Sequence, residues 1–176
     1  NLINGIDTKS QIVVSKGVHL IVPRIAEVKK VMTFFADDGR LFFAVPMGTC
    51  TCIGTTDTPQ DFWTSKTTKE DVEFILSNIN ARMKTGKPLT KEDVISTRCG
   101  VRPLAVKKGE KNHGDWMKLS RKHVTEVDQE KRYVSIYGGK LTDCINVGNE
   151  LIEICSQFGY PIKRNKWYGE DKGREE

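Results

Sequence analysis

Arg102 stands between Val101 and Pro103 in an otherwise apolar run, Gly100-Val101-Arg102-Pro103-Leu104. An arginine there needs an anionic partner, because an unpaired buried charge is costly. Its planar guanidinium holds two oxygens of a phosphate or carboxylate at once, which an ammonium cannot do. The internal alternative is an ion pair with Glu92 or Asp93. Arg121, in Leu119-Ser120-Arg121, offers a second fork if Leu119 points inward and shares its face. His19 lies between Val18 and Leu20 on an apolar segment. One reading makes it a packing residue. Beside two arginines its pKa should fall, leaving a neutral imidazole able to take a proton from a substrate hydroxyl.

A second group sits near the C-terminal end. The strand-like run Tyr133-Val134-Ser135-Ile136-Tyr137 stops at Gly138-Gly139-Lys140-Leu141-Thr142, and a helical pattern follows through Val147, Leu151, Ile152 and Cys155. A strand, a glycine pair, a cation and a hydroxyl before a helix aim free amides and a positive dipole end at an anion. With the two arginines, this points to a pocket for a small phosphorylated molecule. No GxGxxG fingerprint is present, and Gly86-Lys87-Pro88 fails as a P-loop because Pro88 stands where Ser or Thr is needed.

The elements that must position these residues follow from periodicity. Ile12–Ser15 and Val18–Pro23 read as two strands around Lys16-Gly17, and Val31–Ala36 with Leu41–Pro46 as a hairpin about Asp37-Asp38-Gly39. Thr49–Ile53 continues the sheet and ends at Gly54-Thr55-Thr56-Asp57-Thr58-Pro59. Thr67-Thr68-Lys69-Glu70 opens a helix with Val72, Ile75, Leu76 and Ile79 at helical spacing, closed by Gly86 and Pro88. Val94–Thr97 and Gly100–Val106 make one long bent strand, with Pro103 marking an edge or bulge. Met117–Thr125 and Tyr133–Tyr137 add strands about a polar turn at residues 128–132, and the last helix covers about residues 142–158. The fold expected is α+β: a mostly antiparallel sheet with one covering helix, then a strand–helix unit.

Composition excludes several classes. At 176 residues and 38% hydrophobic, the chain can bury one good core. Its net charge of +5 comes from 28 basic and 23 acidic residues with mixed signs, and the basic run from Lys107 to Lys111 reads as a solvated loop. Nucleic acid is therefore not the expected partner. Cys50, Cys52, Cys99, Cys144 and Cys155 include no CxxC pair, so no metal site is expected; a Cys50/Cys52/Cys99 site is the alternative. Cys50 and Cys52 should share a strand face as small hydrophobes in a reducing compartment. No run approaches the roughly 18 apolar residues of a membrane span. The first residue is Asn1, which reads as a piece of a longer chain.

Four segments in this order resemble the FAD-dependent glycerol-3-phosphate dehydrogenase and oxidase family. They are Ser15-Lys16-Gly17-Val18-His19-Leu20-Ile21-Val22-Pro23, Ile53-Gly54-Thr55-Thr56-Asp57-Thr58, Gly100-Val101-Arg102-Pro103-Leu104 and Tyr137-Gly138-Gly139-Lys140-Leu141-Thr142. Thr90-Lys91-Glu92-Asp93-Val94 and Leu119-Ser120-Arg121 match too, so the resemblance covers roughly residues 12–158. It implies a substrate-binding domain over residues 8–131, a return strand and helix of the FAD domain over 132–158, and a polar tail over 159–176. The implied partner is an N-terminal FAD domain of the same protein, which carries the missing dinucleotide fingerprint. His19, Arg102, Arg121, Lys140 and Thr142 would bind a small phosphorylated substrate, with His19 as base and Lys140 as the alternative polariser. Gly138, Gly139, Lys140, Leu141 and Thr142 would approach the FAD ring.

The implied reaction oxidises sn-glycerol 3-phosphate to dihydroxyacetone phosphate. The implied setting is cytoplasmic, at the inner face of the membrane as a peripheral enzyme, with a homodimer as one assembly. One departure stands out. The family continues Gly-Gly-Lys-Leu-Thr with Thr-Tyr-Arg, and here Asp143-Cys144-Ile145 follow. Asp143 suits the helix dipole but opposes an anionic flavin nearby. Its side chain turns away, or the flavin chemistry differs, or the chain is a non-catalytic module derived from the fold. An oxidase, or a relative acting on another hydroxy acid or amine, stays within the same fold.

Overall fold

Fourteen consecutive residues, Ser10–Pro23, form one strand, β1, in the computed structural model. The structure describes residues 5–27, 29–61, 63–84, 86–109, 119 and 121–163. The two strands expected on either side of Lys16-Gly17 are thus a single element. The physical reason is Lys16, whose ammonium turns into the core and meets the Asp71 carboxylate at 2.5 Å, both side chains buried. A paired charge can sit inside a strand without breaking it.

Among the described residues every strand pairing is antiparallel. β1 takes β6 (Ser96–Lys107) along one edge, and β4 (Cys50–Gly54) and β5 (Thr58–Gln60) along the other. β3 (Leu41–Met47) and β2 (Met32–Phe35) extend the sheet beyond β4, giving the order β2-β3-β4-β1-β5 with β6 beside β1. β6 is an edge strand, as Pro103 requires. β5 was not legible in the sequence, since Thr-Pro-Gln has no apolar alternation.

Alternation then sorts side chains onto two faces. Val18, Leu20, Val22, Phe42, Ala44 and Ile53 point to the core, where Ile75, Leu76 and Ile79 of helix α1 (Lys69–Arg82) pack on them. The Thr68 side chain caps α1, and the Asp71 carboxylate accepts the Thr68 amide at 2.8 Å. The helix stops at Met83, ahead of Gly86. Ser15, Gly17 and His19 point to the other face; their register partners Arg102, Gly100 and Arg98 join them, as does Gly54 opposite His19. No helix of the described residues covers this second face, so it is open to a ligand.

Lys91–Asp93 form the short turn expected, with Asp93 accepting the Thr90 amide at 2.7 Å. The C-terminal part starts with a two-stranded hairpin, β7 (Val124–Asp128) with β8 (Tyr133–Tyr137). The strand expected over Met117–Thr125 is corrected: its described part begins at Val124 and runs on to Asp128, while residues 117, 118 and 120 lie outside the described residues. The polar turn shrinks to four residues and is closed by Arg132 at positive φ (50°). A short 3-10 turn, Leu141–Asp143, leads into α2 (Cys144–Gln157), so the last helix begins two residues later than expected. No described helix is long and apolar enough to cross a membrane.

Cys50 and Cys52 share the open face, and all five cysteines are free. Burial pushes the Cys52 thiol pKa up, which keeps it a neutral apolar group. Among the described residues no grouping of His, Cys, Asp or Glu could hold a metal ion.

Candidate functional site

Arg102 reaches the open face through its register with Ser15, and its side chain lies over Gly17. A methyl group on Gly17 would overlap the guanidinium, so the absent side chain is the space Arg102 occupies. Nη2 donates to Thr55 Oγ1 at 2.7 Å, and Nη1 donates to the Thr56 carbonyl at 3.3 Å. Nη1 also faces Asp57 Oδ1 at 3.7 Å. Arg121 Nη2 donates to the other carboxylate oxygen, Asp57 Oδ2. Asp57, its side chain 4% exposed, therefore joins the two guanidiniums. Asp57 Oδ1 accepts no hydrogen bond in this arrangement.

The internal partner of Arg102 is thus Asp57 and not Glu92 or Asp93, because Asp93 is committed to capping Thr90. A loop held by β1 presents Asp57. Thr56 Oγ1 accepts the Val18 amide at 2.9 Å, and the Thr56 amide donates to the Val18 carbonyl at 3.2 Å. Gly54 allows the close pass, at φ +149° and with a would-be Cβ 2.8 Å from the Val18 oxygen and 2.9 Å from His19 Cδ2.

His19 stands half-buried between Gly54 and Arg98. Burial pushes its pKa below the ordinary histidine value, and the Arg102 and Arg98 cations push the same way. The ring is accordingly neutral and can accept a proton. Burial also lowers the Arg102 pKa, which Asp57 opposes. Gly17, His19, Arg98, Cys99, Gly100 and Arg102 are among the residues that line a shallow cleft of about 290 Å³ here.

The glycine turn docks beside this cleft. Gly138 and Gly139 have φ of 65° and 90°, and Gly138 lies against the Pro103–Ala105 backbone of β6, just past Arg102. Gly139 lies on the Cβ of His123. Lys140, Leu141 and Thr142 are exposed, Leu141 to 91%. Among the described residues no hydrogen bond or ion pair ties these three to His19, Arg102 or Arg121. The structure therefore gathers His19, Arg102 and Arg121 on one face and sets the glycine turn at its rim.

His123 is the residue that sequence reasoning passed over. Its Nδ1 lies 2.6 Å from Asp143 Oδ2 and its Nε2 2.7 Å from Glu150 Oε2. The two carboxylates raise its pKa, so the ring is an imidazolium donating on both sides. Asn146 Nδ2 donates to the remaining Asp143 oxygen at 2.7 Å. The Asp143 carboxylate is thus engaged within the protein. Asp57 was legible as the one acid in Ile53–Thr58; Glu150 and Arg98 carried no sequence signal.

The turn also fits one wall of a flavin site. The Asp143 amide donates to the Lys140 carbonyl at 2.9 Å and the Cys144 amide to the Leu141 carbonyl, while no side chain caps the Leu141 and Thr142 amides, which leaves those two for an anionic edge.

The sequence pattern of the FAD dependent oxidoreductase family matches residues 2–133, and the chain belongs to that family. Among its relatives is glycerol-3-phosphate dehydrogenase 2 of Mycobacterium tuberculosis, 37% identical over 150 residues, covering 84% of this chain and 24% of the relative. The probable mitochondrial glycerol-3-phosphate dehydrogenase of Caenorhabditis elegans is 32% identical over 79% of this chain and 19% of its own length. A solved structure, the glycerol-3-phosphate dehydrogenase of Bacillus halodurans complexed with FAD, superposes with a TM-score of 0.66 at 29% identity. That match covers 85% of this chain and 28% of the other. The chain spans about a quarter of the length of the bacterial relatives it matches.

Proposed function

We propose that the protein carrying this chain oxidises sn-glycerol 3-phosphate to dihydroxyacetone phosphate with FAD as its cofactor. The observation that carries the reading is the joining of Arg102 and Arg121 by Asp57 on an open sheet face that also carries His19, beside the glycine turn. The names of the similar proteins agree with it.

Arg102 and Arg121 hold substrate oxygens, the phosphate among them. Asp57 fixes both forks before substrate arrives, so little ordering cost falls on binding. His19, kept neutral by burial and by its arginine neighbours, accepts the proton of the C2 hydroxyl. Lys140 reaches in from the rim to polarise the same oxygen, and Thr142 adds a hydroxyl contact. When bound, FAD supplies the two-electron acceptor for the hydrogen leaving C2. The amides of Gly138–Thr142 and the α2 dipole favour negative charge beside them.

Residues 8–131 act as the substrate domain, and residues 132–158 complete an FAD domain whose dinucleotide fingerprint lies elsewhere in the protein. Leu141, exposed here, would be covered by that domain. The setting is the cytoplasmic face of a membrane, with a second copy as a further partner. The engagement of Asp143 by His123 and Asn146 takes away the feature that favoured a non-catalytic module.

The test is the complete protein. It should purify with flavin absorbance and oxidise glycerol 3-phosphate. His19→Asn should cut kcat by roughly 10²–10⁴ while flavin stays bound. A normal kcat with a poorer KM would make His19 a positioning residue.

A further inference from the structure

Arg98 is the cation in the cleft that the protein itself does not use. Its register partner is His19, so the two side chains share the open face. It lies close enough to lower the pKa values of His19 and Cys52. Its side chain is exposed and has no hydrogen-bond or ion-pair partner among the described residues. Arg102, by contrast, spends its donors on Thr55 and Thr56 and faces Asp57, while Arg121 is committed to Asp57. Gly100, between Arg98 and Arg102 on the same face, has nothing within 4 Å of where a side chain would start. That leaves open floor between two guanidiniums.

We infer that Arg98 is a third anchor for the phosphate of the substrate, the one whose fork is free for it before binding. This rests on the function proposed above. Charge favours a phosphate monoester: three guanidiniums and one carboxylate leave two positive charges, which a dianion balances and a single carboxylate does not. An unpaired guanidinium offers a planar pair of donors at no cost of breaking an internal bond.

Inorganic phosphate is the direct probe, in the complete protein, because its binding does not require turnover. Arg98→Gln should weaken phosphate binding, measured by calorimetry, about ten- to a hundred-fold, and Arg98→Lys should restore part of it. In the same variants KM for glycerol 3-phosphate should rise by a similar factor. Circular dichroism matching the wild type shows that the exposed substitution leaves the fold intact. Equal phosphate affinity in wild type and Arg98→Gln overturns the assignment, as does a wild type that binds no phosphate. A wild type that binds phosphate through Arg98 yet does not oxidise glycerol 3-phosphate would instead sink the proposed reaction alone.

Discussion

Asp57 changes what a conservative substitution of Arg102 does. With Asp57 beside it, lysine at 102 keeps the ion pair and the charge but loses the bonds to Thr55 and Thr56 that set the direction of the fork. Arg102→Lys should fold and lose about ten- to a hundred-fold in kcat/KM for glycerol 3-phosphate, mostly in KM. Unchanged kinetics would make Arg102 structural. Gly17→Ala should give a similar KM defect with Arg102 intact, because the methyl group takes the guanidinium's place and a flexible side chain can move aside. His19 sets the acid limb. Its pKa is lowered, so the proton-accepting form persists below neutrality and is lost only as pH falls through that lowered value. The acid limb of kcat/KM should have its midpoint below about 6.5, the value of a free imidazole. A midpoint above that would point to another base.

At the scale of elements, His123 joins the segment before β7 to the start of α2, and Gly139 packs on it. The clamp has a pH window with two edges. The raised pKa of His123 stabilises the fold fully below its unfolded value, and that contribution is lost as pH rises through the folded one. The lowered pKa values of Asp143 and Glu150 contribute above their unfolded values and are lost as pH falls through the folded ones. Lys122 adds to the lowering at Asp143, and Thr125 to that at Glu150. The clamp is therefore complete between about pH 4.5 and 6.5. His123→Gln should lower the thermal midpoint of the complete protein most within that window, and the difference should fade on the alkaline side. A difference independent of pH would mean that the ring packs without carrying charge.

For the whole molecule, the proposed function expects further protein to cover Leu141, which is exposed here. The purified 176-residue chain should bind FAD weakly and show no dehydrogenase activity, because a dinucleotide needs its pyrophosphate held by a glycine-rich turn and helix start that these residues lack. Calorimetry giving micromolar or tighter binding would overturn this. β8 pairs with β7, four residues away along the chain, and under the proposed function its other edge would take a strand of the FAD domain.

Local chemistry written along the chain was readable without coordinates. The alternation of β3 and β4, the capped start of α1 and the long strand carrying Pro103 depend on neighbours a few residues apart, which a linear sequence displays. The same holds for His19, Arg102 and the glycine turn as candidate site residues, whose types stand out against their surroundings. Other facts depend on residues far apart in sequence. Lys16 keeps β1 unbroken only because Asp71 lies 55 residues away, and Arg121 meets Asp57 across 64. His123 looked like a surface residue until Asp143 and Glu150 closed on it from α2. Arg98 became a candidate only when the register with His19 put both on one open face. Pairing energies of charges depend on distance and burial, and tertiary structure alone sets both.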